Sequence, residues 1–551
     1  MRRAPTVGGL TDWNDLPVAV RAWTEPKLQT PGTSPKAWPL PESILVFDTE
    51  TTIDHTQQLN FGCWRYLRVD YSETTTLTCV REGLFYADNL ADRFPVGLDT
   101  LVDYQRSHRP DVDTSVPDSA RDLQLIPQNR FVDEVLLKAV YDGGVWVIGF
   151  NLPFDISRVA VDVGPARKHP DKDRDLYEGG FSFTMSTYTT SEGEIKERSQ
   201  YRPRIVIKTI DSKRHLIGIR HPLHGDPHRV GRFLDLRTLT FALTDESFSL
   251  ARACETFGVE HPKLETTEHG VITDSYIDYC RRDVQATSEL FGKVIDEYRR
   301  HDIDLPPSSA FSPASIGKAY LRKMGIKPPL RRNKTFPKEV LGYAMASYYG
   351  GRAECHIRKT RVPVVYCDFL SMYPTVNSLM GLWDFLTAET VTTEDRTDAS
   401  RDLLASITID DCFLSATWKE FTVLCELDPD EDVVPVRADY SGHGNWQIGL
   451  NPLRADTSMW YALPDLIASK LLTGRTPQIK KAIGLKASAK KASGLSQVNL
   501  RSEISVDPKT RISSSLPSKR GSPSATNKKA TGSTAHSRSS PTRRATGSSP
   551  R

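Results

Sequence analysis

No stretch of the 551 residues offers the ~18 or more uncharged apolar residues that a membrane-spanning helix needs. No apolar segment follows Arg2 and Arg3, so no secretory signal is expected, and the chain reads as cytoplasmic with no membrane partner. Cysteine is scarce: Cys63, Cys79, Cys254, Cys280, Cys355, Cys367, Cys412 and Cys425 form no C-x-x-C pair. Their spacing fits no zinc template, and they read as reduced thiols, mostly small buried hydrophobes. Nor does either sign of charge dominate, with 72 Lys and Arg against 69 Asp and Glu. The +3 that results is uneven. Residues 511–551 hold nine Lys and Arg and no acid, so residues 1–510 carry −6. Whole-chain charge therefore says little about nucleic acid, and that case rests on sites.

The length suggests roughly two to four domains. Residues 1–42 lack periodicity and read as an irregular arm. Ile44–Phe47 is a short apolar run, expected to be a buried strand, and a polar connector follows. Phe131–Tyr141 is expected to be helical, Val145–Phe150 a second buried strand, and Phe154–Val163 a helix. Arg204–Arg220 alternates like a hairpin turning near Asp211. Arg232–Leu236 reads as a strand, and Ser249–Phe257 and Ser275–Arg300 as helices. Strands alternating with helices argue an α/β domain over residues 43–300. Pro306-Pro307 marks a linker to a second unit, residues 301–475, which contains an expected strand at Val362–Cys367. Residues 511–551 contain twelve Ser and no aromatic residue, and they are expected to be a disordered basic tail.

Three short patterns carry chemistry. Asp48 and Glu50 are two apart at the end of the first strand, so both point to one face. Paired like charges there are costly unless a cation sits between them, and oxygen ligands favour Mg²⁺ or Mn²⁺. Solvated acids in a strand-end turn are the alternative. Asn151-Leu152-Pro153-Phe154-Asp155 places an acid where a strand turns into a helix, which reads equally as a helix cap. Tyr279 and Asp283 share one face of the long helix, as would any half-buried Tyr beside a surface Asp.

Taken in order, D-x-E, N-x-x-F-D and Y-x-x-x-D resemble the three motifs of the DEDDy 3′→5′ exonucleases, whose fold is ribonuclease H-like. The resemblance implies that Asp48, Glu50, Asp155 and Asp283 hold two divalent ions, and that Tyr279 orients the attacking water. It implies that Asn151 and Phe154 contact an unpaired 3′ end, with Phe154 able to stack on a base. Ser249-Leu250 matches a further single-strand-binding element of that family, with helix capping by Ser249 as the competing reading. Asp235, at another strand end, is expected to be structural, and Lys263 a solvated lysine or a phosphate contact.

A second constellation follows. Tyr348-Tyr349-Gly350-Gly351 resembles the YxGG element of family B DNA polymerases, whose glycines let backbone approach template phosphates. Asp368-Phe369-Leu370-Ser371-Met372-Tyr373-Pro374 resembles motif A of the same family, in its protein-primed and organellar branch. Met372 stands where Leu is usual, a volume-conserving change. The resemblance implies that Asp368 binds catalytic metal, that Ser371 lies near the triphosphate, and that Tyr373 lies against the sugar of the incoming deoxynucleotide. No D-T-D follows residue 368, and no N-S-x-Y-G element is found, so the palm begins without a recognisable second carboxylate. Residues 476–510 are expected to be the start of a fingers segment.

The sequence thus predicts an α/β chain: a ribonuclease H-like exonuclease domain, the beginning of a family B palm, and a tail. The expected activity is metal-dependent removal of nucleotides from single-stranded or primer-template DNA 3′ ends, with polymerisation lost. A functional polymerase with an unrecognised carboxylate, and a silent single-strand-binding remnant, are the rival readings.

Overall fold

The run Ile44–Phe47 lies in strand β1 (Ser43–Thr51), and its four side chains are buried. The structure is a computed structural model. It describes residues 17–25 and 40–510, apart from residues 118–120, 167–178, 187, 190, 192–194, 197–202, 221–228, 231, 352–356, 358–359, 370 and 441–445. Cys355 and the basic tail from residue 511 lie outside the described residues.

β1 pairs antiparallel with β2 (Leu59–Asp70), and β2 with β3 (Thr76–Tyr86). These long strands occupy what the sequence presents as a polar connector. The alternation is hidden because charges sit inside it. Arg65 and Glu82 are directly opposite on β2 and β3, buried and 3.2 Å apart. Arg281 closes the same group at 2.9 Å from Glu82, which satisfies charges that would otherwise be expensive to bury.

Helices α1 (Leu90–Arg93) and α2 (Pro95–Ser107) lead to β4 (Gln124–Pro127), parallel to β3. After the short α3 (Gln128–Arg130), the expected helix runs Phe131–Asp142, wound as a π-helix. Its Phe131 ring stacks on Phe85 at 3.9 Å. β5 (Trp146–Gly149) then joins β1 in parallel and leads into α4 (Leu152–Val159).

A second sheet follows. β6 (Asp162–Pro165) pairs with β7 (Phe181–Thr184), a two-residue ribbon β8 (Tyr188–Thr189) and β9 (Ile195–Lys196) intervenes, and the expected hairpin appears as β10 (Arg204–Asp211) and β11 (Arg214–Arg220). With β12 (Arg229–Val230) the sheet order is β12-β11-β10-β7-β6. β13 (Phe233–Asp235) returns to the first sheet, whose order is β13-β5-β1-β2-β3-β4. α5 (Leu236–Thr244), α6 (Leu250–Phe257) and α7 (Asp274–Arg299) complete this part. α6 stops at Gly258, which adopts φ +67° as its left-handed C-cap.

Helices α8 (Pro313–Lys323), α9 (Pro329–Arg332) and α10 (Lys338–Ala346) lead to α11 (Met372–Leu379) and α12 (Leu382–Thr387). β14 (Val391–Asp395), α13 (Thr397–Ser406), β15 (Val423–Leu427), the hairpin β16 (Asp430–Ala438) and β17 (Gln447–Arg454), β18 (Met459–Ala462) and α14 (Leu463–Thr473) enclose a second core. β19 (Ile479–Ala487) sits between β14 and β15 in one sheet, so that sheet crosses the boundary read at residues 475/476. β20 (Val498–Leu500) and β21 (Ile504–Val506) then fold back on α8, and Leu495 and Val498 join the first core.

One expected strand is absent. Residues 361–369 form no regular element and pair with nothing among the described residues, and Val364, Val365 and Tyr366 are 83%, 89% and 92% exposed. A run that is apolar on both faces reads as a central strand, but a strand exists only where a neighbour takes its hydrogen bonds. The arm is also not wholly irregular: Val18 forms a bridge with Ala438.

Candidate active site

Three parallel strands of the first sheet deliver acids to one edge. β1 carries Asp48 and Glu50. β5 passes through Asn151, held left-handed at φ 68°, into α4 and Asp155. β13 ends at Asp235. The C-terminal ends of parallel strands are where open α/β sheets place ligands. α7 packs on β1 and supplies Tyr276, Tyr279 and Asp283, all buried on one helical face.

The side chains converge. Thr49 Oγ1 donates to Asp155 Oδ1 at 2.7 Å. The Tyr276 hydroxyl donates to Glu50 Oε2. The Lys263 ammonium pairs with Asp283 Oδ2 and lies 4.3 Å from the Tyr279 ring centroid. The Tyr276 and Tyr279 rings are 5.8 Å apart, and His269 meets both edge-on at 5.8 and 5.9 Å. Among the described residues, Asp283 Oδ1 is buried with no hydrogen-bond partner.

Burial and crowding set the electrostatics. Burial pushes Asp48 well above the usual carboxylate range, and the charges of Asp155, Asp283 and Glu50 add to it. Glu50 is pushed up to about 7, chiefly by burial, against the pull of the Tyr276 hydrogen bond. Asp155 also reaches about 7, through burial and against the Thr49 hydrogen bond. Asp283 is raised by burial while Lys263 opposes the shift. Burial works against the charge of Lys263, but the Asp283 carboxylate outweighs it and holds the ammonium protonated. The Lys263 charge opposes the shifts of Asp48, Glu50 and Asp283 together.

That donor set fits hard divalent cations. Crowded carboxylates raise each other's pKa until a cation relieves them, and among the described residues the buried Asp283 Oδ1 is an acceptor without a donor. Among the described residues, the group of His, Cys, Asp or Glu donors that converge within 4.8 Å is Asp48, Glu50 and Cys280. The Cys280 thiol is pushed up by burial and faces the Asp48 carbonyl at 4.0 Å, so it lines the site as a neutral wall.

The structure thus brings Asp48, Glu50, Asp155, Tyr279 and Asp283 together. Asp235 is structural in its contacts: it accepts from Asn151 N at 2.8 Å, Arg237 N at 3.3 Å and Thr238 Oγ1 at 2.9 Å, which fixes the turn that aims α4. Ser249 caps α6 by accepting from Arg252 N at 3.3 Å, and Leu250 packs partly against the core. Lys263 corrects its sequence reading, because a lysine expected at the surface reaches the acids instead. Tyr276 was missed, although its position three residues before Tyr279 put it on the same face.

The second constellation is laid out differently. Tyr349 is buried against Tyr461 at 5.3 Å, and Arg437 donates to the carbonyls of Tyr348 and Tyr349 at 3.1 and 2.8 Å. Tyr348 stays 54% exposed, with Arg21 4.2 Å from its ring centroid. Gly350 takes φ +89°, and a Cβ built on Gly351 would lie 3.9 Å from Tyr373 Oη, so the glycine turn and the start of α11 are neighbours. Ser371 begins α11 at φ 55°. Asp368 lies on the unpaired, exposed segment and is no part of the carboxylate cluster.

No curated protein and no solved structure matched the chain. Residues 249–382 match the family described as DNA polymerase type B, organellar and viral, a span holding Ser249-Leu250, Tyr279, Asp283, Tyr348–Gly351 and Asp368–Pro374. Proteins of this class use divalent metal ions and bind template-primer DNA and deoxynucleotides. Over this segment the chain is similar to the organellar and viral type B DNA polymerases.

Proposed function

We propose that the chain is a 3′→5′ exonuclease acting on single-stranded or frayed DNA ends, built on a ribonuclease H-like sheet. The observation that carries this reading is the convergence of Asp48, Glu50, Asp155 and Asp283 beside Tyr279, from three separate stretches of sequence. The sheet order supports it: β13 and β5 run parallel to β1, and β2 and β3 complete an antiparallel flank.

The four carboxylates would hold two Mg²⁺ or Mn²⁺ ions, which when bound supply an activated water and neutralise the phosphate charge. Tyr279 orients the water. Lys263 offers the developing negative charge a fixed cation. Asn151 and Phe154 receive the unpaired end. The water oxygen bonds to phosphorus as the bond from phosphorus to the 3′-oxygen of the preceding nucleotide breaks, that oxygen takes up a proton to become the new 3′-hydroxyl, and a deoxynucleoside 5′-monophosphate leaves.

We also propose that this chain does not extend primers by itself. Among the described residues Asp368 belongs to no cluster of three or more His, Cys, Asp or Glu donors, and two-metal nucleotidyl transfer needs a second acid, which the sequence after residue 368 does not offer as a D-T-D. Ser371 and Tyr373 then mark a nucleotide surface without its chemistry. Asp48→Ala is expected to abolish Mg²⁺-dependent release of nucleotides from a 3′-labelled oligonucleotide while the circular dichroism spectrum stays the same. Undiminished release by that variant overturns the exonuclease reading.

A further inference from the structure

We propose that Cys280, together with Asp48 and Glu50, forms an inhibitory site for a thiophilic divalent cation such as Zn²⁺. This rests on the exonuclease reading and adds to it a regulation of the same acids. Spacings of four and three residues put Cys280 between Tyr276 and Asp283 on the face of α7 that packs on β1. Its thiol is buried, and an oxygen of Asp48, an oxygen of Glu50 and the Cys280 sulfur all lie within 4.8 Å of one another. The thiol reaches the Asp48 carbonyl only at 4.0 Å, and S–H is a weak donor, so little holds the proton on sulfur.

Donor chemistry separates two kinds of ion. Mg²⁺ and Mn²⁺ take oxygen and leave a neutral thiol alone, whereas Zn²⁺ takes thiolate and carboxylate together. A tetrahedral Zn²⁺ with ~2.3 Å to sulfur and ~2.0–2.2 Å to oxygen holds its donors ~3.5 Å apart, so the three atoms need close by only about 1 Å. On binding, the S–H bond breaks, the S–Zn bond forms and the proton leaves to water. Cys63 supports that ligand. It lies opposite Asp48 on β2, is buried, and its thiol hydrogen-bonds Cys280. A partner of this kind orients a metal-bound side chain and tunes it.

Occupancy stops hydrolysis for an electrostatic reason. Two carboxylates and a thiolate set three negative charges around a doubly charged ion, so water bound to it loses acidity and an approaching phosphate is repelled. The same ion withdraws Asp48 and Glu50 from the set that serves Mg²⁺.

The test titrates the full chain with Cd²⁺ and follows the sulfur-to-cadmium charge-transfer band in the ultraviolet. Wild type is expected to develop the band with the first equivalent, and Cys280→Ser to lose it. In cleavage of a 3′-labelled oligonucleotide with excess Mg²⁺, Cys280→Ser is expected to need about tenfold more Zn²⁺ than wild type to halve its own Mg²⁺ rate. A wild type that forms the band but releases no nucleotide with Mg²⁺ removes the exonuclease reading and leaves the metal site. A wild type that releases nucleotide yet forms no band overturns the metal site alone, as does a Cys280→Ser chain with an unchanged band and unchanged Zn²⁺ sensitivity. If Cys280→Ser loses its fold, Glu50→Gln decides: its first-equivalent Cd²⁺ affinity is expected to fall about tenfold, and an unchanged affinity places the ion elsewhere and overturns the site.

Discussion

Glu50 is the residue whose titration reports on the cluster. Its pKa of about 7 lies above the ordinary 4.5, so across that window the folded chain binds more protons than the unfolded chain. Stability contributed by this group is therefore greatest at low pH and falls as pH rises toward about 7. Asp155, at about 7 as well, has the same sign. Buried His215 and half-buried His301 are held below their ordinary value by desolvation and act in the opposite direction, so a difference measurement is needed. Without metal, the melting temperature of the wild type is expected to fall from about pH 5 to about pH 8 more steeply than that of Glu50→Gln. Mg²⁺ at the alkaline end should raise the wild-type value. Parallel curves, or no response to Mg²⁺, would count against a metal cage. At this scale the sequence spoke clearly where acids recur at strand or helix spacing. It misled at Lys263, because nothing local distinguishes a solvated lysine from one drawn into a buried site by Asp283.

Among the elements, the junction of β1 and β2 is the most constrained. Gly62 lies opposite Thr49, and a Cβ there would fall 2.5 Å from the Asp48 carbonyl and 2.2 Å from the Phe85 ring. Gly62→Ala is expected to cost about 1–3 kcal/mol in urea unfolding. It should also impair hydrolysis, because the displaced backbone belongs to Asp48. A variant of native stability would show that the strands part more easily than this packing implies. At α6, Ser249→Ala is expected to lose about 1 kcal/mol from the cap. Unchanged affinity for single-stranded DNA would assign Ser249 to capping alone, and a loss beyond the change in stability would assign it to DNA as well. Elements with pure apolar runs, such as β1 and β5, were legible in sequence. β2 and β3 were not, because the Arg65–Glu82 pair interrupts their pattern and only the fold reveals that the charges satisfy each other.

For the whole molecule, the prediction is a division of labour: with Mg²⁺, deoxynucleotides and a primed template, 3′ ends should shorten and none should lengthen. Primer extension by the purified chain would show that a second carboxylate reaches Asp368. The expected strand at Val362–Cys367 failed for a reason that residue patterns do not carry, since its apolar side chains announce a neighbour that the described residues do not supply. The return of β20 and β21 has a different consequence. Leu495 and Val498 seal the first core, and Glu503 pairs with Arg300 just past the end of α7. During synthesis, every acid of the cluster has left the ribosome more than two hundred residues before that seal is made. A nascent chain halted near residue 490 would thus own its complete chemistry and still show a bare flank to chaperones.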